Sequence, residues 1–282
     1  MAPNQAQIID GKQLAAAITQ SLAARIAQLT PKPKLAVILV GDDVASHTYV
    51  ALKEAAADVV GIQFDKYLFP PGTDEETVTE LIEHLNADSS VNGILVQLPL
   101  PGGWHENQVI GTITPPKDVD GFHPDNVRAL LAGQPGIVPG LAEGIVDLVA
   151  STGINFGGTR AVVLANSEVF SQPLQYLFEK AGATAQAVNP SVVGCREACT
   201  AADILVAAIG RPEFVKRGMV KAGSVVVDVG YNRIGDRTVG DVDFASVSRV
   251  AGWITPVPGG VGPVTVAKLL QNVVRAYELQ RG

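Results

Sequence analysis

The sequence predicts an α/β fold with parallel sheets, arranged as two successive domains. Three observations carry this. Apolar runs of strand length alternate with helix-length segments, the pattern of βαβ units. The alternation breaks in a loop-rich stretch between Trp104 and Pro139 and restarts at Arg160. With 282 residues, 47% apolar and 17% charged, the chain has the length for two ordinary domains and ample material for their cores.

Taken in order, Leu14, Ile18, Leu22, Ile26 and Leu29 recur at helical spacing, so a first helix is expected over residues 11–28, ended by Pro31 and Pro33. Leu35–Val40 reads as a buried strand and Gly41-Asp42-Asp43 as its turn. Asp43 or Ser46 can cap the next helix, which runs to about Val60 and stops at Gly61. Gln63–Leu68 is a strand and Thr73–Leu85 a helix. Residues 93–98 form an apolar strand interrupted only by Gln97, and Pro99 and Pro101 end it. Leu141–Ser151 is a helix joining the halves. In the second half Ala161–Leu164, Thr184–Val188, Ile204–Ile209 and Val225–Val229 read as strands, Pro173–Ala181 as a helix and Val264–Leu279 as the closing helix. The expected division is residues 1–145 as a first domain, rejoined by the closing helix over 264–282, and 146–263 as a Rossmann-like second domain.

Composition excludes several functions. The net charge is −7 and no basic block occurs, against a nucleic-acid binder. The longest apolar runs are far too short to span a membrane, and the first residues lack a signal-peptide pattern. A soluble cytoplasmic protein is expected. Cys195 and Cys199 have no further ligands nearby, so reduced structural thiols are expected and no metal site.

The candidate chemistry gathers at strand ends, where open parallel sheets place their ligands. Tyr49 and Lys53 lie four apart on one helical face, just after a buried strand. Gln97 closes another strand on the same sheet edge. A lone amide there either serves a site or is satisfied by a neighbouring loop. A lysine partly desolvated beside a hydroxyl and an amide has a lowered pKa and can carry protons. Asp118 and Asp120 flank Val119; one can bind a ligand through paired donors while the other turns the chain. His123 reads as a structural loop histidine. In the second half, the turn Ala165-Asn-Ser-Glu-Val-Phe-Ser-Gln-Pro173 has no glycine where a dinucleotide's pyrophosphate would approach, and Glu168 adds a negative charge. The next strand ends at Val188-Asn-Pro190, with neither an acid for a ribose diol nor an arginine for a 2′-phosphate. These patterns alone leave an α/β enzyme of open substrate.

Four motifs go further. Tyr49-x-x-x-Lys53, Gly93-Ile-Leu-Val-Gln-Leu-Pro-Leu-Pro101, Lys117-Asp-Val-Asp-Gly-Phe-His123 and Thr255-Pro-Val-Pro-Gly-Gly-Val-Gly-Pro263 resemble the bifunctional methylenetetrahydrofolate dehydrogenase/methenyltetrahydrofolate cyclohydrolase family, over nearly the whole chain. The resemblance implies two α/β domains flanking a cleft, a homodimer, folate against the first domain and NADP on the second. It implies Lys53 as the catalytic lysine, supported by Tyr49 and Gln97, and Asp120 as the anchor of the pterin ring. Tyr49 would pack on the folate, and Pro258, Gly259 and Gly260 would line its site. Ser167, Gly210, Gly230 and Thr255 are the candidate cofactor residues.

Departures from the family pattern cluster on the cofactor side. The family usually carries Gly-Arg-Ser-x-x-Val-Gly-x-Pro after the first strand of its second domain. This chain has Ala165, Asn166 and Ser171 in place of the two glycines and the arginine, and keeps Ser167 and Pro173. Asn189-Pro190 replaces the usual His-Ser, and Pro139-Gly-Leu-Ala142 the usual Pro-Cys-Thr-Pro. The expectation is therefore a tetrahydrofolate-dependent one-carbon enzyme that retains cyclohydrolase-type chemistry, with NADP binding weakened or lost. The alternative is the fully bifunctional NADP-dependent enzyme. A non-catalytic folate-binding protein is the third reading, disfavoured by Lys53.

Overall fold

A computed structural model describes residues 5–281 of the chain. The elements begin with β1 (Gln7–Ile8), α1 (Gly11–Ala27), β2 (Lys34–Val40), α2 (Val44–Val60), β3 (Gln63–Phe69), α3 (Glu75–Ala87) and β4 (Gly93–Val96). There follow α4 (Glu106–Gly111), α5 (Pro124–Leu131), α6 (Gly140–Ala150), β5 (Arg160–Ala165), α7 (Glu168–Lys180) and β6 (Thr184–Val188). The chain ends with α8 (Cys195–Thr200), β7 (Ile204–Ala208), β8 (Val225–Asp228), β9 (Asn232–Ile234), β10 (Arg237–Val239), α9 (Phe244–Val247), β11 (Trp253–Ile254) and α10 (Val261–Leu279).

Two compact units result. One comprises Ala16–Gly140 with the chain from Val266 onward; the other comprises the N-terminal segment through Ala15 with Leu141–Thr265. The first contains a parallel sheet of order β3-β2-β4, the second a parallel sheet of order β1-β11-β8-β7-β5-β6. Strands β2 and β4 of one sheet and β5, β7 and β8 of the other are apolar and buried along nearly their whole length and therefore need cover on each face.

In the three-stranded unit, the side chains of β2 alternate between two cores. Leu35, Val37 and Leu39 pack with Leu22 and Ile26 of α1, Val50 and Ala57 of α2, and Leu270 and Val273 of α10. Ala36, Ile38 and Val40 pack with Val78 and Ile82 of α3. The closing helix thus returns to the first sheet, as expected, and Glu278 pairs with Arg25 at 2.5 Å. Asp43 caps α2 by accepting from the Ser46 amide at 2.8 Å, and Gly61 ends that helix in the left-handed conformation.

Several local expectations are corrected. The N-terminal segment does not go with the first sheet: Gln7 and Ile8 pair with Trp253 and Ile254 in the six-stranded one. Two-residue strands carry no periodic signal, so pattern could not find them. The stretch read as loop-rich holds the short helices α4 and α5. Helix α7 starts at Glu168, five residues before the expected start, with Pro173 inside it. Pro173 is the sixth residue of the helix, past the first turn, so its missing N–H removes one intrahelical bond, the one to the Val169 carbonyl. Strand β4 stops at Val96, although the Gln97 amide still donates to the Ile38 carbonyl at 2.8 Å.

Cys195 and Cys199 are free, buried thiols on α8. Burial, then the neighbouring Cys195, pushes the Cys199 thiol up to about 12. Among the described residues no cluster of three His, Cys, Asp or Glu could hold a metal, and no helix is long and apolar enough to cross a membrane.

Two glycines are sterically required in the first unit. A side chain at Gly93 would overlap Val119, and Gly121 (φ +83°) would bring a Cβ to 2.7 Å from the Pro139 nitrogen. Gly121→Ala therefore combines left-handed strain with overpacking. It is expected to destabilise this unit by about 2–4 kcal/mol, read as a lowered urea midpoint at unchanged slope.

Candidate active site

The site begins with a strand-end lysine. Helix α2 follows β2 through a short turn and carries Tyr49 and Lys53 on one face, both half-buried. Lys53 Nζ donates to Gln97 Oε1 at 2.7 Å, and Gln97 Nε2 donates to the Leu98 carbonyl at 2.6 Å. Gln97 is thus oriented by its own exit loop, and its oxygen is presented to the lysine. Burial holds the Lys53 amine below the usual lysine range, partly opposed by the charge of Asp120. Conversely, burial pushes the Asp120 carboxyl up to about 6; Lys53 opposes the shift and Asp118 adds to it.

The loop that carries Asp120 is tightly braced. Asp118, 1% exposed, accepts from the amides of Gly121 at 3.2 Å and His123 at 2.7 Å and from Asn126 Nδ2 at 3.0 Å. It is the turn-forming acid of the pair. Asp120 is the acid whose charge acts on Lys53. Lys117 Nζ donates to the carbonyls of Leu85, Asn86 and Asp88 at 2.7–2.9 Å, closing the end of α3. Asn272 of α10 is fully buried and donates to the carbonyls of Val119 and Val138 at 2.9 and 2.8 Å. His123 caps α5, its Nδ1 accepting from the Asp125 amide at 3.1 Å.

A second cluster lies at the ends of β7 and β8 in the other unit, and it gathers three of the four residues proposed for a cofactor. Gly210 N donates to Asp241 Oδ2 at 3.0 Å, and Gly230 N to Asp228 Oδ1 at 3.0 Å. Thr255, 1% exposed, accepts the Asp228 amide at 2.7 Å. Burial pushes the Asp228 carboxyl up to about 7; the amides of Asp241, Val242 and Gly230 oppose the shift, and Asp241 adds to it. The fourth residue, Ser167, is the N-cap of α7 and makes no capping bond through its side chain within the described residues. Pro258, Gly259 and Gly260 form a tight loop against the start of α1, where a side chain on Gly11 would overlap the Gly260 carbonyl.

Asn272, Lys117, Asp228 and Asp241 were not anticipated. Asp228 had a usable signal: like Gln97, it is a lone polar residue closing an apolar strand. Asn272 had none, since an asparagine in a long helix reads as a solvated face until its partners are known.

With this geometry in hand, comparisons with known proteins are specific. Residues 9–120 match the model of the tetrahydrofolate dehydrogenase/cyclohydrolase catalytic domain, and residues 139–281 match that of the NAD(P)-binding domain of the same family. The chain is 45% identical to the bifunctional protein FolD of Dechloromonas aromatica, over 98% of this chain and 99% of that one. It is 46% identical to the FolD of Acidiphilium cryptum, again over 98% and 99%. Among solved structures it is similar to the bifunctional FolD of Campylobacter jejuni, with 39% identity, TM-score 0.93 and coverage of 97% and 99%. It is also similar to the Trypanosoma brucei methylenetetrahydrofolate dehydrogenase-cyclohydrolase complexed with NADP and an inhibitor, with 34% identity, TM-score 0.92 and coverage of 98% of each chain. The chain belongs to the tetrahydrofolate dehydrogenase/cyclohydrolase family.

Proposed function

We propose that the protein is a bifunctional folate enzyme, hydrolysing methenyltetrahydrofolate and oxidising methylenetetrahydrofolate with a nicotinamide dinucleotide. The carrying observation for hydrolysis is Lys53, partly desolvated and hydrogen-bonded to Gln97 beside Asp120. A lysine with a lowered pKa has a larger neutral fraction at any given pH than an ordinary lysine, and neutral amine is what a proton acceptor requires. In this reading water bonds to the electrophilic methenyl carbon as Lys53 takes its proton. The C–N bond then opens: the nitrogen keeps the bonding pair and takes a proton back from the Lys53 ammonium, the hydroxyl proton leaves to solvent, and an N-formyl group remains. Gln97 fixes the amine. Asp120 accepts from the amino edge of the pterin, and Tyr49 packs against the ring.

The relatives favour the fully bifunctional reading over loss of the redox half, since those named above are bifunctional and one holds NADP. A dinucleotide fits the six-stranded sheet. The loops after β7 and β8 are preformed around Gly210 and Gly230, and the first turn of α7 at Ser167 has backbone donors of the kind that receive phosphates. A bound dinucleotide would supply the hydride acceptor. The fit is poorer toward β5 and β6. Glu168 occupies the first turn of α7, and no lysine or arginine occurs between Ala161 and Glu179. Asn166 Nδ2 is used by the Ile209 carbonyl at 2.8 Å. These features favour a second reading, hydrolysis without oxidation, and within the first reading they predict weaker binding of NADP than a cationic loop would give.

Exposed Leu52 and Val59 on α2 and Leu68 on adjoining β3 support the expected homodimer, which sedimentation of the purified protein would show as twice the chain mass.

Lys53→Met should lower methenyltetrahydrofolate hydrolysis by about 100-fold or more, and Lys53→Arg should not restore it, because a guanidinium stays protonated. Gln97→Leu removes a hydrogen bond to a charged or near-charged group and should cost about 10-fold or more. The hydrolysis rate should rise with pH, with a midpoint below the ordinary lysine value of 10.5. Folate affinity should weaken as pH falls through about 6, where Asp120 gains its proton. Assaying oxidation with NADP and with NAD beside hydrolysis tests the whole reading: turnover in both supports it, and hydrolysis alone replaces it with the second.

A further inference from the structure

We propose that Asp241 is a positioning residue of the dinucleotide site, a buried carboxylate that shapes the loops after β7 and β8 so that they can receive the cofactor. This inference rests on the bifunctional reading above. Asp241 is fully buried. Its Oδ2 accepts from the amides of Ile209 at 2.6 Å and Gly210 at 3.0 Å. Its Oδ1 accepts from the Arg211 amide at 2.8 Å and from Asn232 Nδ2 at 2.9 Å. Three successive backbone donors converging on one anion form the kind of concavity that elsewhere binds a ligand's phosphate. Here the protein's own carboxylate fills it, so the loop at the end of β7 is already shaped before any ligand arrives.

Asp228 extends the same construction to the neighbouring strand. Its Oδ1 accepts from the amides of Gly230 at 3.0 Å and Asp241 at 2.9 Å, and its Oδ2 from the Val242 amide at 3.0 Å. The glycines make room for the two acids: a side chain at Gly230 would overlap the Asp241 carboxyl, and one at Gly240 would overlap that of Asp228. The loop also contains Glu213, whose φ of +49° is the only left-handed value at a non-glycine among the described residues. Its amide donates to the Gly240 carbonyl at 2.9 Å. A non-glycine held in that conformation marks a loop whose shape is imposed by its surroundings. Asp241 therefore ties both loops and the β9–β10 hairpin to one group at the strand ends, where α/β sheets bind their cofactors.

Asp241→Asn keeps the shape but replaces one acceptor oxygen with a donor that faces backbone N–H groups. Calorimetric titration of the full-length protein with NADP, and separately with NAD, reads the effect directly. The expected result is a dissociation constant raised 10-fold or more for whichever dinucleotide the parent binds, with methenyltetrahydrofolate hydrolysis within about 3-fold of the parent. Asn232→Leu, which removes a single donor to Asp241, should give a smaller weakening in the same direction and guards against an Asp241 variant that fails to fold. Unchanged dinucleotide affinity in both variants overturns the proposal. So does an equal loss of affinity and of hydrolysis with a lowered melting temperature, which would make Asp241 a scaffold residue only. If the parent protein itself binds neither dinucleotide, the bifunctional reading falls, and this inference with it. A parent that binds and variants that bind equally well overturn this inference alone.

Discussion

The hydrogen bond between Lys53 and Gln97 is the constraint from which the candidate active site of the three-stranded unit is understood. An amine on a helix and an amide at a strand end meet at 2.7 Å only if β2 and β4 are adjacent and in register, and if α2 leaves β2 by a short capped turn. Each condition is met by ordinary means: apolar strands paired Leu35 to Gly93 and Ile38 to Val96, and an aspartate cap at residue 43. The chemistry adds burial to this frame. Desolvation lowers the Lys53 pKa and raises that of Asp120, and each charge partly relieves the other. The lysine and the acid, to which we assign proton transfer and ligand binding, are thereby tuned by burial and by one another's charge.

Both units rely on one device for shaping the loops at strand ends. A buried aspartate accepts several backbone N–H groups and so substitutes for a regular turn. Asp118 does this for residues 121 and 123, and the charge of Asp120, two residues on, acts on Lys53. Asp241 and Asp228 do it for residues 209–211, 230 and 241–242. The arrangement suits loops that must hold a shape without regular secondary structure, because each bond removes a buried unsatisfied donor worth about 1–3 kcal/mol. In the six-stranded unit it also accounts for Gly230 and Gly240, because Asp241 and Asp228 occupy the space that a Cβ there would need.

The long-range contacts of α10 integrate the first unit. Leu270, Val273 and Val274 enter the core against β2, while Asn272 reaches the carbonyls of residues 119 and 138. One face of a C-terminal helix therefore braces the loop that carries Asp120, more than 150 residues earlier in the chain. Asn272 is buried because its amide satisfies two carbonyls that the loop cannot pair internally.

Much of this was legible in the residues alone. Strand-length apolar runs announced both parallel sheets, because strands covered on both faces must be apolar throughout. Lys53, Gln97 and Asp120 stood out because polar groups at strand ends sit where ligands bind. The resemblance of four motifs supplied the family, and the glycine-free turn at 165–173 drew notice to the cofactor side. What pattern could not supply were features made by distant partners. The two-residue strands β1 and β11 are defined by their partners, β1 by β11 and β11 also by β8, so no local pattern reveals that the N-terminal segment pairs into the six-stranded sheet. Asn272, Lys117 and Asp241 are buried polar residues whose roles depend on backbone groups tens to hundreds of residues away, and nothing in their local sequence encodes those partners. Periodicity records which face of an element is covered; the packed chain alone sets which carbonyls and amides are left for a buried side chain to satisfy.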